Sequence, residues 1–358
     1  MITTLEDVKI EEKKEPKLND VKQELSEDVF RPSRLRASLY LLSGLLQTVI
    51  SVYFLYYVQV NALYYFYLPA YFLAGTTVTS LFILGHDCAH ESFFGNKRWN
   101  SFWGHILFIP SFYPYYAWKY SHNAHHQHTN SLRAPANSIY YDNTWIPLTI
   151  KQYRILKKRY PKRAFLYRLT RTLLPLGSLL HNYNYHYNPS LYKESHRKNV
   201  YFSYAVLFTY LGFLGTALIY FTGSVYSLFH YLLIPAIFFQ FWMSLYTFLH
   251  HTSEKMKFYK EENWSQYKGQ ILSTRNSLMP AWLSSLHFHI DYHIPHHLNI
   301  RIPSYKLVEA QEQLRVSSFK EDLSEEKFTW KEYFNAIQKC QLWDDKNEKY
   351  ITFKEAGV

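Results

Sequence analysis

The fold is decided by residues 62–90, which read ALYYFYLPAYFLAGTTVTSLFILGHDCAH. The run from Ala62 to Gly85 carries no charged residue, and as a helix it is long enough to cross a hydrocarbon core of about 30 Å. His86 and His90 follow directly, and their four-residue separation places both imidazoles on one face of a helix. This stretch therefore predicts a membrane-spanning helix that ends in a pair of metal ligands.

Three similar runs complete the prediction for the membrane region. An uncharged stretch precedes residue 62, and a longer one extends from Tyr201 to Thr252 with a break near Thr222-Gly223-Ser224. We therefore predict an all-α membrane protein with four transmembrane helices, over about residues 37–60, 62–85, 201–222 and 227–250.

The distribution of positive charge predicts how the chain is oriented. Cationic residues are numerous between Lys119 and Lys198, whereas the tips of both predicted hairpins carry none. The positive-inside rule therefore places both termini in the cytosol. The same rule places a helical cap, which would carry a dinuclear metal site, in the cytosol. The predicted segments are a mobile N-terminal tail at 1–35, a membrane domain at 36–303 with its cap at 86–198 and 251–303, and a C-terminal tail at 304–358.

Composition excludes several other classes of protein. The net charge of +11 could indicate nucleic-acid binding, but the cations lie beside apolar spans, which favours contact with lipid head groups and no nucleic acid. Only two cysteines occur, so a disulfide framework or a thiolate metal site is not available. Histidine must supply the ligands.

Eight histidines fall into three short clusters. The clusters are His86-Asp-Cys-Ala-His90, His122-Asn-Ala-His125-His126 and His293-Ile-Pro-His296-His297. A single zinc site takes three or four protein ligands, so eight imidazoles indicate two metal ions. The first two clusters follow span two and the third follows span four. An even number of crossings therefore returns all eight histidines to one face of the membrane.

Other residues near the clusters are candidates for supporting roles. The pair His250-His251 ends span four, and we prefer His251 as a ninth ligand, although His250 is the alternative. Asp87 and Asp291 are predicted to accept hydrogen bonds from ligating imidazoles, because a carboxylate commonly fixes the tautomer of such a ring. His128, His250 and His287 are further candidates for the layer around the ligands.

The three clusters resemble the histidine boxes of the integral-membrane fatty acid desaturase superfamily. Asp142-Asn-Thr-Trp145-Ile-Pro147 and the His250-His251-Thr252 sequence after span four are most similar to methyl-end acyl-lipid desaturases of the Δ12/ω6 type. The resemblance implies two non-haem iron ions that use O2 and two electrons to insert a cis double bond into a membrane lipid acyl chain. It also implies that the eight box histidines and His251 are the iron ligands.

The resemblance has further implications for electron supply and substrate binding. No His-Pro-Gly-Gly haem motif occurs, so electrons must come from a separate ferredoxin or membrane cytochrome. Related acyl-CoA desaturases have an asparagine where this chain has Thr247. An acyl chain needs a narrow apolar tunnel, and Trp103, Trp118 and Trp145 are candidates for its wall. The alternative is that these aromatic residues form an interfacial belt.

Two other functions remain open from the sequence. A lipid hydroxylase or a carotenoid hydroxylase or ketolase would have the same fold and metals but would add oxygen to its product. A membrane metal transporter would also contain histidine clusters, although transport favours polar residues within the spans, which are uncharged here. The position of the double bond, the lipid head group, the oligomeric state and the membrane are not defined by the sequence.

Overall fold

The computed structural model describes residues 15–132 and 138–358, and this part of the chain is mainly helical. Its α-helices are α1 Leu18–Gln23, α2 Arg34–Val60, α3 Tyr67–Ala89, α4 Lys97–Phe108, α5 Tyr115–His128, α6 Ile150–Arg159, α7 Pro161–Thr172, α8 Leu174–His181, α9 Glu194–Thr222, α10 Ile234–His251, α11 Ala281–Leu286, α12 His293–Leu298, α13 Leu307–Arg315 and α14 Trp330–Lys339. Short 3₁₀ turns occur at Glu27–Phe30, Tyr64–Phe66, Ile109–Ser111, Pro189–Leu191, Glu261–Asn263, Ser304–Lys306 and Lys320–Asp322, and π turns at Asn182–His186, Phe229–Leu233 and Lys268–Leu272.

Four short strands form two small sheets in the cap. These strands are β1 Arg275–Leu278, β2 Ser324–Lys327, β3 Leu342–Asp344 and β4 Lys349–Ile351. β1 pairs with β2 in parallel, with Arg275 opposite Ser324, and β3 pairs with β4 in antiparallel register.

Among the described residues, four helical segments are long and apolar enough to cross a membrane. They are Arg34–Val60, Tyr64–Ala89, Glu194–Thr222 and Phe229–His251. The prediction of an all-α membrane protein with four spans is confirmed. The second and fourth segments extend beyond the predicted ends, so His86, His250 and His251 lie within the last helical turns.

α3 is the central helix of the membrane region. It packs against α2, α4 and α10, and 78% of the residues in its apolar 18-residue stretch are buried. In the corresponding stretches of α2 and α9, only 22% and 11% of the residues are buried. Because an apolar helix face exposed in this way is stable in lipid rather than in water, α2 and α9 form the lipid-facing surface.

A glycine allows α3 and α10 to approach closely. A Cβ atom at Gly75 would lie 2.3 Å from Phe238 Cβ and 2.7 Å from the carbonyl oxygen of Pro235. Small residues at such crossings let two helix backbones pack closely inside a membrane. The contact matters for the site because both helices carry histidines at their ends.

The structure differs from the predicted mobile tail at 1–35. Residues 1–14 lie outside the described residues, but Leu18, Val21, Leu25 and Val29 are buried against the region of the third histidine cluster. These four apolar residues face a common surface, although the charged residues between them make the segment look polar as a whole. From Leu18 onward the segment is therefore a packed part of the cap.

Residues 304–358 also form a folded part of the cap rather than a tail. β2 pairs with β1, and Trp343 and Tyr350 are buried in the main hydrophobic cluster. The apolar residues of this segment are few and widely spaced, so a prediction based on continuous apolar runs does not find them. The segment covers the ends of the helices that carry the histidines.

Candidate metal centre

The histidines are brought together by four helix ends. His86 lies in the last turn of α3 and His90 caps it, while the second cluster lies along the last two turns of α5. His251 is the last residue of α10, and the third cluster makes up most of the short helix α12. All nine predicted ligands lie in one region. Eight of them are buried, and His122 is partly exposed.

Five histidines form one possible metal site, which we call the five-histidine group. Its members are His86, His90, His122, His126 and His296, and each offers a ring nitrogen within 4.8 Å of the others. The Nε2 atom of His122 lies 3.0 Å from that of His86 and 3.1 Å from that of His126. His126 Nε2 is in turn 3.0 Å from His296 Nε2. The ring nitrogens thus converge on one point.

Three further histidines form a second possible site, the three-histidine group. Its members are His125, His251 and His297. His251 Nε2 lies 3.2 Å from His125 Nε2 and 3.1 Å from His293 Nε2, so His293 adjoins this group. His250 instead stacks on the ring of His293, with 3.9 Å between the ring centroids. The geometry therefore favours His251 over His250 as a ligand.

The hydrogen bonds of the three-histidine group leave ring nitrogens oriented as metal ligands would be. His125 Nδ1 donates to Asp142 Oδ1 at 2.8 Å, and His251 Nδ1 faces the Ser273 carbonyl oxygen at 3.4 Å. A neutral imidazole that donates through Nδ1 has a lone pair on Nε2. The two Nε2 atoms therefore present lone pairs to each other at 3.2 Å, an arrangement that a bound cation stabilises.

His297 has the same arrangement of donor and acceptor nitrogens. Its Nδ1 donates to Gln270 Oε1 at 2.7 Å, and its Nε2 is buried without a hydrogen-bond partner among the described residues. The Gln270 amide is oriented by its Nε2, which donates to the His126 carbonyl oxygen. A buried acceptor with no donor is costly unless a ligand such as a metal ion satisfies it.

The ionisation of the site also favours metal binding. Burial, together with the neighbouring imidazoles, holds the pKa of His126, His296 and His297 well below the usual histidine value. These rings are therefore neutral near pH 7, the form that binds metal. Burial raises the pKa of the Asp142 carboxyl, but the electrostatic interaction and hydrogen bond with His125 outweigh it and leave that pKa lowered.

Replacing Asp142 with asparagine is expected to lower metal affinity by about 10- to 100-fold, because the carboxylate that orients His125 is lost. The measurement is competition between the purified protein and a chromophoric chelator for Fe²⁺ or Zn²⁺. Asp344→Asn is the matched control, since among the described residues the Asp344 carboxylate accepts hydrogen bonds from the backbone and side chain of its own turn, away from the histidines. Equal affinities for wild type and Asp142→Asn would contradict the orienting role.

The other predicted supporting residues have mixed positions. Asp87 lies beside the site, with Oδ1 3.2 Å from His86 Nδ1 and Oδ2 accepting from Ser304 N. Asp291 instead accepts from Met279 N and from the Ser284 hydroxyl. The positive φ angles at Phe288 and His289 turn the chain before His293, so proximity in sequence does not bring this carboxylate to the imidazole.

Two further predicted residues also lie away from the site. His287 hydrogen-bonds to the Tyr246 hydroxyl and the Thr76 carbonyl oxygen, so it connects α10 with α3. His128 packs beside Tyr141 and Trp264 and belongs to neither histidine group. Conversely, the supporting roles of Asp142 and Gln270 were not predicted. Asp142 opens the motif Asp142-Asn-Thr-Trp145, which could have indicated it, whereas no local pattern indicates Gln270.

A cavity of about 530 Å³ adjoins the histidines. Its wall includes His86 and His122 of the five-histidine group, together with His250 and His293. Trp118 and Trp145 also line it, and Trp118 stacks on His122 with 4.1 Å between the ring centroids. Trp103 is not among the lining residues of the described chain. It packs at the edge of the main hydrophobic cluster on α4.

Comparisons with known proteins agree with this architecture. Residues 32–323 match the family model described as "Fatty acid desaturase". The chain is 32% identical over 344 residues to the sn-1 oleoyl-lipid 12-desaturase of Picosynechococcus sp., covering 95% of this chain and 93% of that protein. It is 34% identical over 298 residues to the protein of the same name from Synechocystis sp., covering 80% of each.

A plant relative extends the similarity. The chain is 31% identical over 282 residues to the chloroplastic omega-6 fatty acid desaturase of Spinacia oleracea, covering 79% of this chain and 60% of that protein. The family match spans the four membrane helices and all nine converging histidines. The chain is therefore a membrane oxidoreductase that belongs to the fatty acid desaturase family.

Proposed function

We propose that this desaturase inserts a cis double bond toward the methyl end of an acyl chain esterified to a membrane glycerolipid, in a Δ12 or ω6 reaction. The observation that carries the proposal is the cavity beside the histidines, whose apolar wall meets His86 and His122 of the five-histidine group and His293, which adjoins the three-histidine group. The names of the relatives, oleoyl-lipid 12-desaturase and omega-6 desaturase, support the substrate class.

We assign two iron ions to the site. The five-histidine group would hold one ion, and the three-histidine group together with His293 would hold the other. When bound, the iron pair supplies the oxidation by O2 and two electrons that removes two vicinal hydrogens and releases water. Soft or borderline nitrogen ligands without thiolates are consistent with iron.

The protein's own residues position the chain and keep water out. Phe82, Phe239 and Met243 supply an apolar surface from α3 and α10 for methylene groups. Trp145 is held in place because its Nε1 donates to Thr247 Oγ1 at 2.8 Å. An acyl chain has no polar group near the reacting carbons, so orientation depends on the shape of this cavity.

The active site and both chain ends are assigned to the cytosolic side. Exposed cations on α6 and α7, including Lys157, Lys158 and Arg163, lie on the same side as the histidines. This assignment follows the positive-inside rule. A separate ferredoxin or membrane cytochrome would deliver electrons there.

Expression of the chain in cells that lack polyunsaturated lipids tests the function. We expect new dienoic acyl chains with a mass two hydrogens below that of the monoene, and mass spectrometry after derivatisation locates the added double bond. A His251→Ala variant serves as the inactive control. A product that gains oxygen would instead identify a hydroxylase and contradict the proposed reaction.

A further inference from the structure

The cavity has two chemically different sides. α3 and α10 contribute mainly apolar side chains, whereas α7 contributes Arg163, Thr170 and Arg171. Within the described chain, no aspartate or glutamate lines the cavity. A molecule that fits this space would therefore have a long apolar part and an oxygen-rich end without positive charge.

Arg171 is the buried cation on the polar side. The residue is 3% exposed, and its guanidinium donates through Nη1 to the Trp145 carbonyl oxygen at 2.9 Å and through Nη2 to the Cys340 carbonyl oxygen at 2.5 Å. Its Cζ also lies 5.6 Å from the Phe248 ring centroid. These contacts are neutral, so they fix the guanidinium plane without balancing its charge.

Hydrogen-bond donors on this side remain available. Arg171 Nε is buried and has no acceptor among the described residues. Asn143 also lines the cavity, and its Oδ1 accepts from His181 Nε2 at 2.9 Å. This contact orients the amide, whose Nδ2 is buried without an acceptor among the described residues. Two unpartnered donors in one cavity wall, one of them on the buried guanidinium, indicate that an oxygen acceptor binds here.

We propose that Arg171 binds the carbonyl or carboxylate oxygen at the polar end of the acyl substrate. This inference rests on the proposed function and makes Arg171 a positioning residue. The carbonyl oxygen accepts from Arg171 while the hydrocarbon extends along α3 and α10 toward the histidines. The oxygen could belong to a glycerolipid ester or to a free fatty acid, and these share the same acceptor chemistry.

A structural role for Arg171 must be separated from substrate binding. The residue connects α7 with the Trp145 loop and the C-terminal segment, so removal of its side chain could lower activity through misfolding alone. Such damage would reduce the rate with every substrate by a similar factor. Loss of a substrate contact would instead affect only substrates that carry the acceptor oxygen.

The experiment uses the full chain in membranes supplied with its electron donor and three labelled substrates. These are a 1-oleoyl glycerolipid, the matched 1-O-octadecenyl ether lipid that lacks the carbonyl, and free oleate. We expect wild type to convert the ester or the free acid about tenfold faster than the ether, the effect of one hydrogen bond from a charged donor. The faster of the two carbonyl substrates identifies the source of the oxygen.

Variants of Arg171 complete the test. In Arg171→Lys and Arg171→Gln we expect the preference over the ether lipid to fall to within about twofold, since neither side chain has the Nε–H donor of the fixed guanidinium plane. Arg168→Gln is the matched control, because Arg168 is exposed and stacks on Phe353 at 4.7 Å, and it should keep the wild-type preference.

The outcomes distinguish this inference from the proposed function. If wild type converts neither the ester lipid nor free oleate faster than the ether lipid, the role of Arg171 is overturned, even if no variant of Arg171 folds. An unchanged preference in folded Arg171 variants would also overturn it. Absence of a diene product from every substrate would overturn the proposed function itself, and the inference with it.

Discussion

His125→Ala is expected to abolish formation of unsaturated product and to lower metal affinity by more than about 100-fold, while the protein still inserts into the membrane. Loss of a residue that only orients a ligand costs roughly 10- to 100-fold in affinity, so loss of the ligand itself should cost more. His125 Nε2 lies 3.2 Å from His251 Nε2, and its removal also leaves the buried Asp142 carboxylate without the imidazole partner that lowers its pKa.

Bound metal per protein and diene content in the membrane are the two measurements for His125→Ala. His196→Ala is the matched control, because His196 stacks on Tyr120 and hydrogen-bonds to the Tyr140 hydroxyl outside both histidine groups. The control should retain both metal and activity. Normal metal content and activity in His125→Ala would refute the assignment of this residue as a ligand.

Gly75→Ala is expected to destabilise the protein and to reduce activity although it lies outside the metal centre. The new Cβ would overlap Phe238 Cβ and the Pro235 carbonyl oxygen, so the backbones of α3 and α10 must separate. Overpacking of this kind costs about 1–3 kcal/mol. Since His86 lies in the last turn of α3 and His251 ends α10, separation of the two helices should also weaken metal binding.

The measurement for Gly75→Ala is thermal unfolding in detergent, followed by tryptophan fluorescence and by loss of bound metal. Gly212→Ala provides the control, because Gly212 lies in the spanning helix α9 and a Cβ there would meet no atom within 4 Å. That control should unfold at the wild-type temperature or slightly above it. Equal unfolding temperatures for both variants would show that the crossing at Gly75 tolerates a methyl group.

The sequence was most informative where the determining pattern is local. Uncharged runs of bilayer length predicted the four spans, because hydrophobic thickness sets helix length directly. The three- and four-residue spacing of the histidines predicted which rings share a helix face. The even number of crossings then predicted that separate clusters would lie on one side of the membrane.

The remaining parts depend on contacts between distant residues. Gln270 orients His297 from a π turn that carries no metal motif, and its position follows from packing alone. Asp291 is the opposite case: it is close to His293 in sequence, which suggested a contact with an imidazole, but its carboxylate accepts from Ser284 instead. The packing of the N-terminal segment was not predicted because its few apolar residues become a hydrophobic face only against α12 and α13.

The contact between the two ends of the chain sets an order for biosynthesis. Ser26 N donates to Gln313 Oε1 across 287 residues, and Lys306 binds Asp28 in the same region. At typical rates of synthesis of about 5–20 residues per second, the partner of the N-terminal segment emerges roughly a quarter of a minute to a minute later. All four spans have been translated by then, so the third histidine cluster receives its outer cover only as a late step of assembly. A newly made chain would therefore pass through a stage in which its ligands are more accessible to incoming metal than in the mature protein.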